Sequence, residues 1–302
     1  MKSSTKVFIL IISLLVIFAL GIFLFFTMII VSGDDDDVET ITGKGEKIAV
    51  IELKGVILES EKIVKQFKKY RNDRSIKAIL FRIDSPGGGV VASHEIYDEV
   101  RKTREFGKPV VVSMASVAAS GGYYVSCGAN KIVANPGTLT GSIGVISQFL
   151  RLDPMLAKVG IEMNTIKSGK FKDAGTPFRG MTEEDKKYFQ NLMDDVHKQF
   201  IDIVSKERNI EHNEIIKIAD GRVFTGEEAY KLKLVDTLGT FEDAVRITAE
   251  LANIKGEPSI VREVKRKTFI ERLLGETKFD SIIGLKDEIF SHPILQYKLY
   301  NP

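Results

Sequence analysis

One serine lies where its hydroxyl could do chemistry: Ser120, within the stretch AASGGYY. It follows an apolar, strand-like run, and a hydrophobic segment begins shortly after it. A serine at the start of a helix commonly caps that helix with its side-chain oxygen. The same hydroxyl can act as a nucleophile, and a nearby base must then take its proton. Residue type and context leave both roles open.

A second small-residue turn, SPGGG over residues 85–89, ends an earlier predicted strand. Its backbone N–H groups can point into the crevice at the carboxyl edge of a sheet, and Gly121 supplies another N–H directly after Ser120. Two N–H groups about 3 Å from a developing oxyanion stabilise a tetrahedral intermediate. Each turn alone favours a structural role, but the two together at the ends of adjacent strands put a catalytic role on an equal footing with the structural one.

A base for Ser120 is not obvious among the four histidines. His94 and His197 fall on predicted helix surfaces, and the sequence has neither a histidine metal motif nor a GxSxG elbow. A lysine can serve when it is neutral, since burial lowers a lysine pKa from about 10.4. The segment TIKSGKFKDAG offers Lys167, Lys170 and Lys172, and spacing does not choose among them.

The elements that must position these residues repeat the order of strand, small-residue turn and helix. Strands are predicted at 47–53, 76–84, 109–114, 131–134, 142–147, 162–167 and 258–264. Helices are predicted at 61–70, 90–106, 182–208, 225–234 and 241–252. This order is typical of an α/β domain with a largely parallel sheet.

Composition narrows the class of protein further. The 302 residues are 44% hydrophobic, which is enough for one large domain with accessory segments. A net charge of +2 with well-mixed signs argues against a nucleic-acid-binding protein. The single cysteine, Cys127, excludes an intramolecular disulfide and reads as a buried, inert thiol. No motif for a metal or an organic cofactor is found, and the glycines at 87–89 are only a weak nucleotide-binding signal.

The N-terminus carries an apolar run over residues 7–31 that is long enough to cross a bilayer. Lysines precede it within residues 1–6, so the positive-inside rule places that end in the cytoplasm and the body of the protein outside. Residues 32–46 then form a linker. We therefore predict a transmembrane signal-anchor helix; a cleaved signal peptide is the alternative.

Four motifs in order resemble the bacterial signal peptide peptidase A family (peptidase family S49) in its short, single-repeat, membrane-anchored form. They are DSPGGG (84–89), ASGGYYVSCGANKIVANPGTLTGSIGV (119–145), KSGKFKDAGTPFRGMTEED (167–185) and ADGRVFTGEEAYKLKLVD (219–236). The resemblance implies an α/β fold of the Clp protease and crotonase type, a spiral of ββα units, over residues 47–264. A C-terminal tail, 265–302, follows.

The family's site residues can be carried over position by position. The resemblance implies Ser120 as nucleophile and Lys172 as general base, with Ser142 orienting the lysine. It implies Gly88 and Gly121 as the donors of the oxyanion hole. No cofactor and no metal are implied.

The resemblance also implies a homo-oligomeric ring in which serine and lysine come from neighbouring protomers. Its members are serine endopeptidases that degrade remnant signal peptides at the outer side of the cytoplasmic membrane. The lipid bilayer would hold this chain through residues 7–31, and extended apolar peptides would bind by strand addition.

Two other functions are considered, together with a role for the tail. One function is an inactive peptide-binding scaffold of the same fold, and the other is a crotonase-type acyl-CoA enzyme. The end of the tail, HPILQYKLYNP (292–302), alternates as an edge strand would. It either docks in a substrate groove and inhibits the site or is a frayed end.

Overall fold

The computed structural model of the chain describes residues 12–23, 37–264 and 296–298. The chain divides into two compact units. Their ranges are Met1–Glu39 with Glu263–Ile283, and Thr40–Arg262 with Gly284–Pro302.

The described part of the first unit includes a helix, α1, over residues 12–23, whose side chains are exposed. Among the described residues, no helix has both the length and the apolar character needed to cross a bilayer. The remainder of the predicted 7–31 anchor lies outside the described residues, as do residues 1–6 and most of the 265–302 tail.

Helices and strands alternate along most of the chain. The helices after α1 are α2 (Glu61–Asn72), α3 (Val90–Glu105), α4 (Gly121–Ser126), α5 (Asp153–Lys158), α6 (Glu183–Arg208), α7 (His212–Ile216), α8 (Gly226–Lys231) and α9 (Phe241–Leu251). The strands are β1 (Asp37–Thr42), β2 (Lys47–Lys54), β3 (Ile76–Ser85), β4 (Gly87–Gly89), β5 (Val110–Ala119), β6 (Lys131–Ala134), β7 (Leu139–Gly141), β8 (Val223–Thr225), β9 (Thr237–Leu238), β10 (Ser259–Val264) and β11 (Gln296–Lys298).

The large sheet of the described chain has nine strands in the order β1-β10-β2-β3-β5-β6-β9, with β7 on β5 and β8 on β7. The pairs from β10 through β9 and the β5–β7 pair are parallel, and β7–β8 is antiparallel. A second, two-stranded sheet joins β4 to β11. The predicted α/β architecture with a largely parallel sheet is thus confirmed.

Helices cover both faces of the sheet because its central strands are apolar on both sides. On β3, Ile79 and Phe81 pack into a core shared with α2, α3, α4 and α6. Leu80, which points to the opposite face, packs with α9. Strands β3 and β5 run side by side, and Ser85 pairs with Ala118 at their carboxyl ends. The two glycine-rich turns therefore begin next to each other.

Two predicted strands are wrong. Residues 142–147 form no strand; instead β7 ends at Gly141, because Gly141 and Ser142 both adopt positive φ and break the extended chain. Residues 162–167 form no strand either, and their side chains are all exposed, so the alternating pattern there does not reflect burial on one face. Strand β5 is longer than predicted and leads directly into Ser120.

The long helix α6 begins as predicted. Thr182 accepts a hydrogen bond from the Asp185 N–H, and the Asp185 carboxylate accepts one from the Thr182 N–H, which completes a capping box. Its C-terminal half buries Phe200, Ile201 and Val204 against the core. Its N-terminal half faces the segment that carries Lys172.

Candidate active site

Ser120 occupies a sharp turn between β5 and α4. Its backbone has φ 54° and ψ −116°, a conformation that costs a non-glycine residue about 1–3 kcal/mol. Two hydrogen bonds of 2.8 Å hold it there: Ser120 N–H donates to the Gly141 carbonyl, and Tyr124 N–H donates to the Ser120 carbonyl. A strained serine between a strand and a helix is the geometry of a nucleophile elbow. The elbow forms here although the sequence around Ser120, AASGG, does not match the GxSxG pattern.

The hydroxyl of Ser120 has no structural use in the described part of the chain. The residue is 0% exposed, its side chain makes no capping bond to α4, and Oγ has no hydrogen-bond partner there. A buried hydroxyl left unpaired costs about 1–3 kcal/mol. The helix-cap role considered for Ser120 is therefore wrong, and the retained cost points to a function.

Gly88 and Gly121 come together beside Ser120. A Cβ on Gly121 would lie 3.2 Å from the Gly88 nitrogen, and a Cβ on Gly88 would lie 2.1 Å from the Ile57 carbonyl oxygen. The contact at Gly88 is with backbone and excludes any side chain there, whereas the contact at Gly121 leaves little room for one. Gly121 is the first residue of α4, where an N–H has no acceptor within the helix.

Strand β4 presents one edge to Ile57. Ile57 N–H donates to the Gly87 carbonyl at 2.8 Å, and Gly89 N–H donates to the Ile57 carbonyl at 2.7 Å. Because successive residues of a strand direct their N–H and C=O groups to opposite edges, those of Gly88 face away from Ile57. Strand β11 lies on that other edge, antiparallel to β4, with Tyr297 opposite Gly88. The predicted edge strand in the tail is confirmed for residues 296–298.

Backbone hydrogen bonds hold Ser142 close to the turn that carries Ser120. Its N–H donates to the Arg222 carbonyl at 2.9 Å, and the preceding residue, Gly141, accepts the N–H of Ser120. Ser142 is 6% exposed and has a positive φ of 51°. The structure therefore brings Ser120, Ser142, Gly88 and Gly121 together.

Lys172 is not joined to these residues within the single chain. Its side chain is exposed, and no hydrogen bond of the described residues links it to Ser120 or Ser142. The two other candidate lysines are engaged: Lys167 pairs with Asp173, and Lys170 Nζ lies 2.6 Å from Glu184. In the described part of the chain, Lys172 is the member of this trio without an ionic partner.

An ion-pair network that the sequence reasoning missed holds the loop around Lys172. Arg179 donates to both Asp173 oxygens, at 3.0 and 2.8 Å, and to Asp185 at 2.5 Å. Hydrogen bonds from Arg179 and from Thr182 lower the pKa of Asp185 to about 2, and those from Arg179 and Lys167 hold the pKa of Asp173 below its usual value. The residue next to Lys172 is thereby tied to the first turn of α6. The sequence feature that could have indicated this network is Arg179, which lies six residues before the capping-box residue Asp185.

If Lys172 acts on Ser120 as the resemblance implies, Arg179→Ala is expected to lower hydrolysis roughly 10- to 100-fold, because a misplaced loop costs rate even when every reacting group is present. Steady-state hydrolysis of a peptide measures the loss. Arg246→Ala is the matched control, since Arg246 also pairs with two carboxylates but lies on the exposed side of α9. Equal activity of the two variants would contradict a positioning role for Arg179.

The remaining titratable candidates have structural roles. His94 Nδ1 is paired with the Tyr124 hydroxyl at 2.9 Å, and His197 Nε2 donates to the Ile143 carbonyl at 3.2 Å. Burial raises the pKa of the Cys127 thiol to about 12, so the predicted inert cysteine is confirmed. Within the described residues, no three His, Cys, Asp or Glu side chains converge as a metal site.

Comparison with known families first gives the class of protein. Residues 44–138, which run from just before β2 to the residue before β7, match the Clp protease family. The mixed α/β sheet with Ser120 at a carboxyl edge is therefore a Clp protease-like fold.

The particular family follows from a longer match, which begins in α3 and ends after α9. Residues 102–255 match peptidase family S49, and the chain belongs to that family. It is 41% identical over 236 residues to a "Putative protease" of Synechocystis sp., covering 78% of this chain and 85% of that one. The predicted relationship to signal peptide peptidase A is confirmed at this level, and the chain is a peptidase.

Two further relatives carry more specific names. One is a "Putative signal peptide peptidase SppA" of Enterococcus faecium, 36% identical over 213 residues, or 66% of this chain and 62% of that one. The other is Protease 4 of Salmonella typhi, 39% identical over 230 residues, or 73% of this chain and 37% of that one. The match spans less than two thirds of each of these two relatives.

Proposed function

We propose that this peptidase is a serine endopeptidase in which Ser120 is the nucleophile and Lys172 is the general base. The observation that carries the proposal is the Ser120 hydroxyl, which is buried on a strained turn next to Gly121 and has no hydrogen-bond partner among the described residues. A hydroxyl kept in that state is free to form a covalent bond. The family membership supports the same assignment, as does Lys172, which has no ionic partner among the described residues.

The reaction follows from these groups. The neutral Lys172 amine takes the Ser120 proton while Oγ bonds to the peptide carbonyl carbon. The N–H groups of Gly88 and Gly121 hold the resulting oxyanion. The C–N bond then breaks, the lysine returns its proton to the leaving amine, and water hydrolyses the acyl-enzyme by the same route. Ser142, close to Ser120, would hydrogen-bond the lysine and orient it.

A neighbouring protomer is the proposed source of the lysine, because Lys172 is exposed in the single chain. Its surroundings are unusually apolar for a surface. Large exposed side chains between β7 and α6 include Leu150, Met155, Val159, Ile161, Met163, Ile166, Phe171 and Phe178. A segment with so many exposed apolar side chains is the kind of surface that a subunit contact would cover. It supports a homo-oligomeric ring with the dyad shared between protomers.

Extended apolar peptides are the proposed substrates, bound by strand addition to the edge of β4 that faces away from Ile57. Support comes from β11, an extended piece of the chain paired with that edge beside the oxyanion glycines. A relative named signal peptide peptidase supports remnant signal peptides as the class. Anchoring through residues 7–31, with the peptidase domain at the outer side of the cytoplasmic membrane, agrees with the exposed apolar side chains of α1.

Hydrolysis of a fluorogenic apolar peptide by the purified full-length chain tests the proposal. We expect turnover that is lost in Ser120→Ala. A well-folded wild-type protein that binds such peptides without cleaving them would instead be the scaffold considered above. A thioester bound to the purified protein would favour the acyl-CoA enzyme.

Removing residues 291–302, and with them β11, is expected to raise peptide hydrolysis several-fold at subsaturating substrate. The reason is competition, since β11 occupies the edge on which a substrate strand would pair. Tyr297→Pro should act in the same direction, because proline removes a backbone N–H from the pair. Lys298→Ala, which keeps the backbone intact, is the matched control. An unchanged cleavage rate after the deletion would end the idea of autoinhibition.

A further inference from the structure

Ser93 is a second buried serine whose hydroxyl is unused. It lies in the first turns of α3, is 0% exposed, and its Oγ has no hydrogen-bond partner among the described residues. Buried helical hydroxyls elsewhere in the chain bond the carbonyl four residues back. Thr103 donates to the Glu99 carbonyl at 2.8 Å, and Ser126 donates to the Gly122 carbonyl at 2.7 Å. The Ser93 hydroxyl makes no such bond in the described part of the chain.

The Ser93 hydroxyl lies at the wall of the oxyanion site. A Cβ on Gly121 would lie 2.6 Å from Ser93 Oγ and 3.2 Å from the Gly88 nitrogen. The hydroxyl therefore shares a small space with both backbone donors already assigned to the oxyanion. Like Ser120 Oγ, it is a buried group with no hydrogen-bond partner among the described residues.

We propose that the Ser93 hydroxyl donates a third hydrogen bond to the oxyanion, beside the N–H groups of Gly88 and Gly121. The inference deepens the proposed serine peptidase mechanism and rests on it. Ser93 takes no part in bond making and keeps its proton; it gains an acceptor when the carbonyl oxygen becomes negative. An interaction that is stronger in the transition state than in the enzyme–substrate complex accelerates the chemical step rather than substrate binding.

A purely structural serine at this position would behave differently. An unpaired buried hydroxyl destabilises the resting fold, so its removal should leave the melting temperature unchanged or raise it. A packing role, by contrast, would lower the melting temperature and leave kcat close to its normal value. The two roles thus predict opposite patterns for the same substitution.

Ser93→Ala is expected to lower kcat about 100-fold, which is the range for loss of one oxyanion-hole donor, with little change in KM and no loss of thermal stability. Affinity for a peptide aldehyde should fall by a similar factor. Ser120 Oγ adds to the aldehyde carbon, its proton passes to the lysine, and the former carbonyl oxygen then occupies the oxyanion site. Binding of the uncleaved peptide to Ser120→Ala and to Ser120→Ala/Ser93→Ala should be equal.

Thr103→Ala is the matched control, a buried hydroxyl of the same helix that does have a carbonyl partner. It should lose stability and keep kcat. Ser93→Cys, with a weaker donor of similar shape, should fall between wild type and Ser93→Ala in kcat, and it serves if the alanine variant does not fold.

Normal kcat and normal aldehyde affinity in a folded Ser93→Ala or Ser93→Cys protein would overturn the inference. So would a Ser93→Ala protein that loses stability and raises KM while kcat is kept. These outcomes are separate from failure of the proposed function, which would appear as hydrolysis that survives Ser120→Ala.

Discussion

Replacing Ser120 with alanine is expected to lower peptide hydrolysis by about 10⁴-fold or more, the scale on which loss of a catalytic serine acts. The fold should persist. Among the described residues, nothing bonds the Ser120 Oγ, and the turn is held by backbone hydrogen bonds that alanine keeps. Steady-state hydrolysis and thermal unfolding, measured on the same preparation, give both results.

Two comparison variants sharpen this test. Ser113→Ala removes another buried serine of β5, one that accepts a hydrogen bond from Arg82, and should keep most of the activity. Ser120→Gly should be inactive yet melt at a higher temperature than Ser120→Ala, because glycine adopts the positive φ of this turn without strain. Hydrolysis retained in Ser120→Ala would remove this residue from the mechanism.

Mixing two inactive variants is expected to restore activity. Lys172→Ala should be as inactive as Ser120→Ala, because the serine then lacks its base, whereas Lys170→Ala should stay active since Lys170 pairs with Glu184. When equal amounts of the two inactive proteins exchange subunits in a ring, about one quarter of the sites combine an intact serine with an intact lysine from the next protomer. A fluorogenic peptide reports the recovered rate.

The control for mixing is each variant alone, carried through the same exchange step. Size-exclusion chromatography of differently tagged chains must show that mixed particles form. Mixed particles without recovered activity would contradict a dyad shared between protomers.

Much of the fold is predictable because the apolar residues of its strands and the caps of its helices are easily recognised in the sequence. Strands β2, β3 and β5 have apolar runs buried on both faces, and a capping box marks the first residue of α6. The turn at residues 142–147 is not predictable in the same way. Its residues are apolar enough for a strand, but the positive φ of Ser142 depends on tertiary contacts, including the bond to the Arg222 carbonyl.

Some residues of the candidate site are likewise predictable from the sequence, and others are not. Gly88, Gly121 and Ser120 adjoin short turns at the ends of paired parallel strands, so sequence order already places them together. The lysine cannot be chosen by spacing, because three candidates share one loop. Among the described residues, Lys167 and Lys170 have ionic partners and Lys172 has none. A role for Ser93 is not predictable from the sequence, because serines are common in helices. What distinguishes Ser93 is its burial and its lack of a hydrogen-bond partner among the described residues.

Covalent labelling tests the central claim most directly. A fluorophosphonate reacts with a serine oxygen only when a base has activated it, and peptide mapping by mass spectrometry locates the adduct. We predict labelling of the wild-type chain at Ser120, loss of labelling in Lys172→Ala, and normal labelling in Lys170→Ala. An adduct at another residue, or an unchanged labelling rate in Lys172→Ala, would contradict the proposed serine–lysine chemistry.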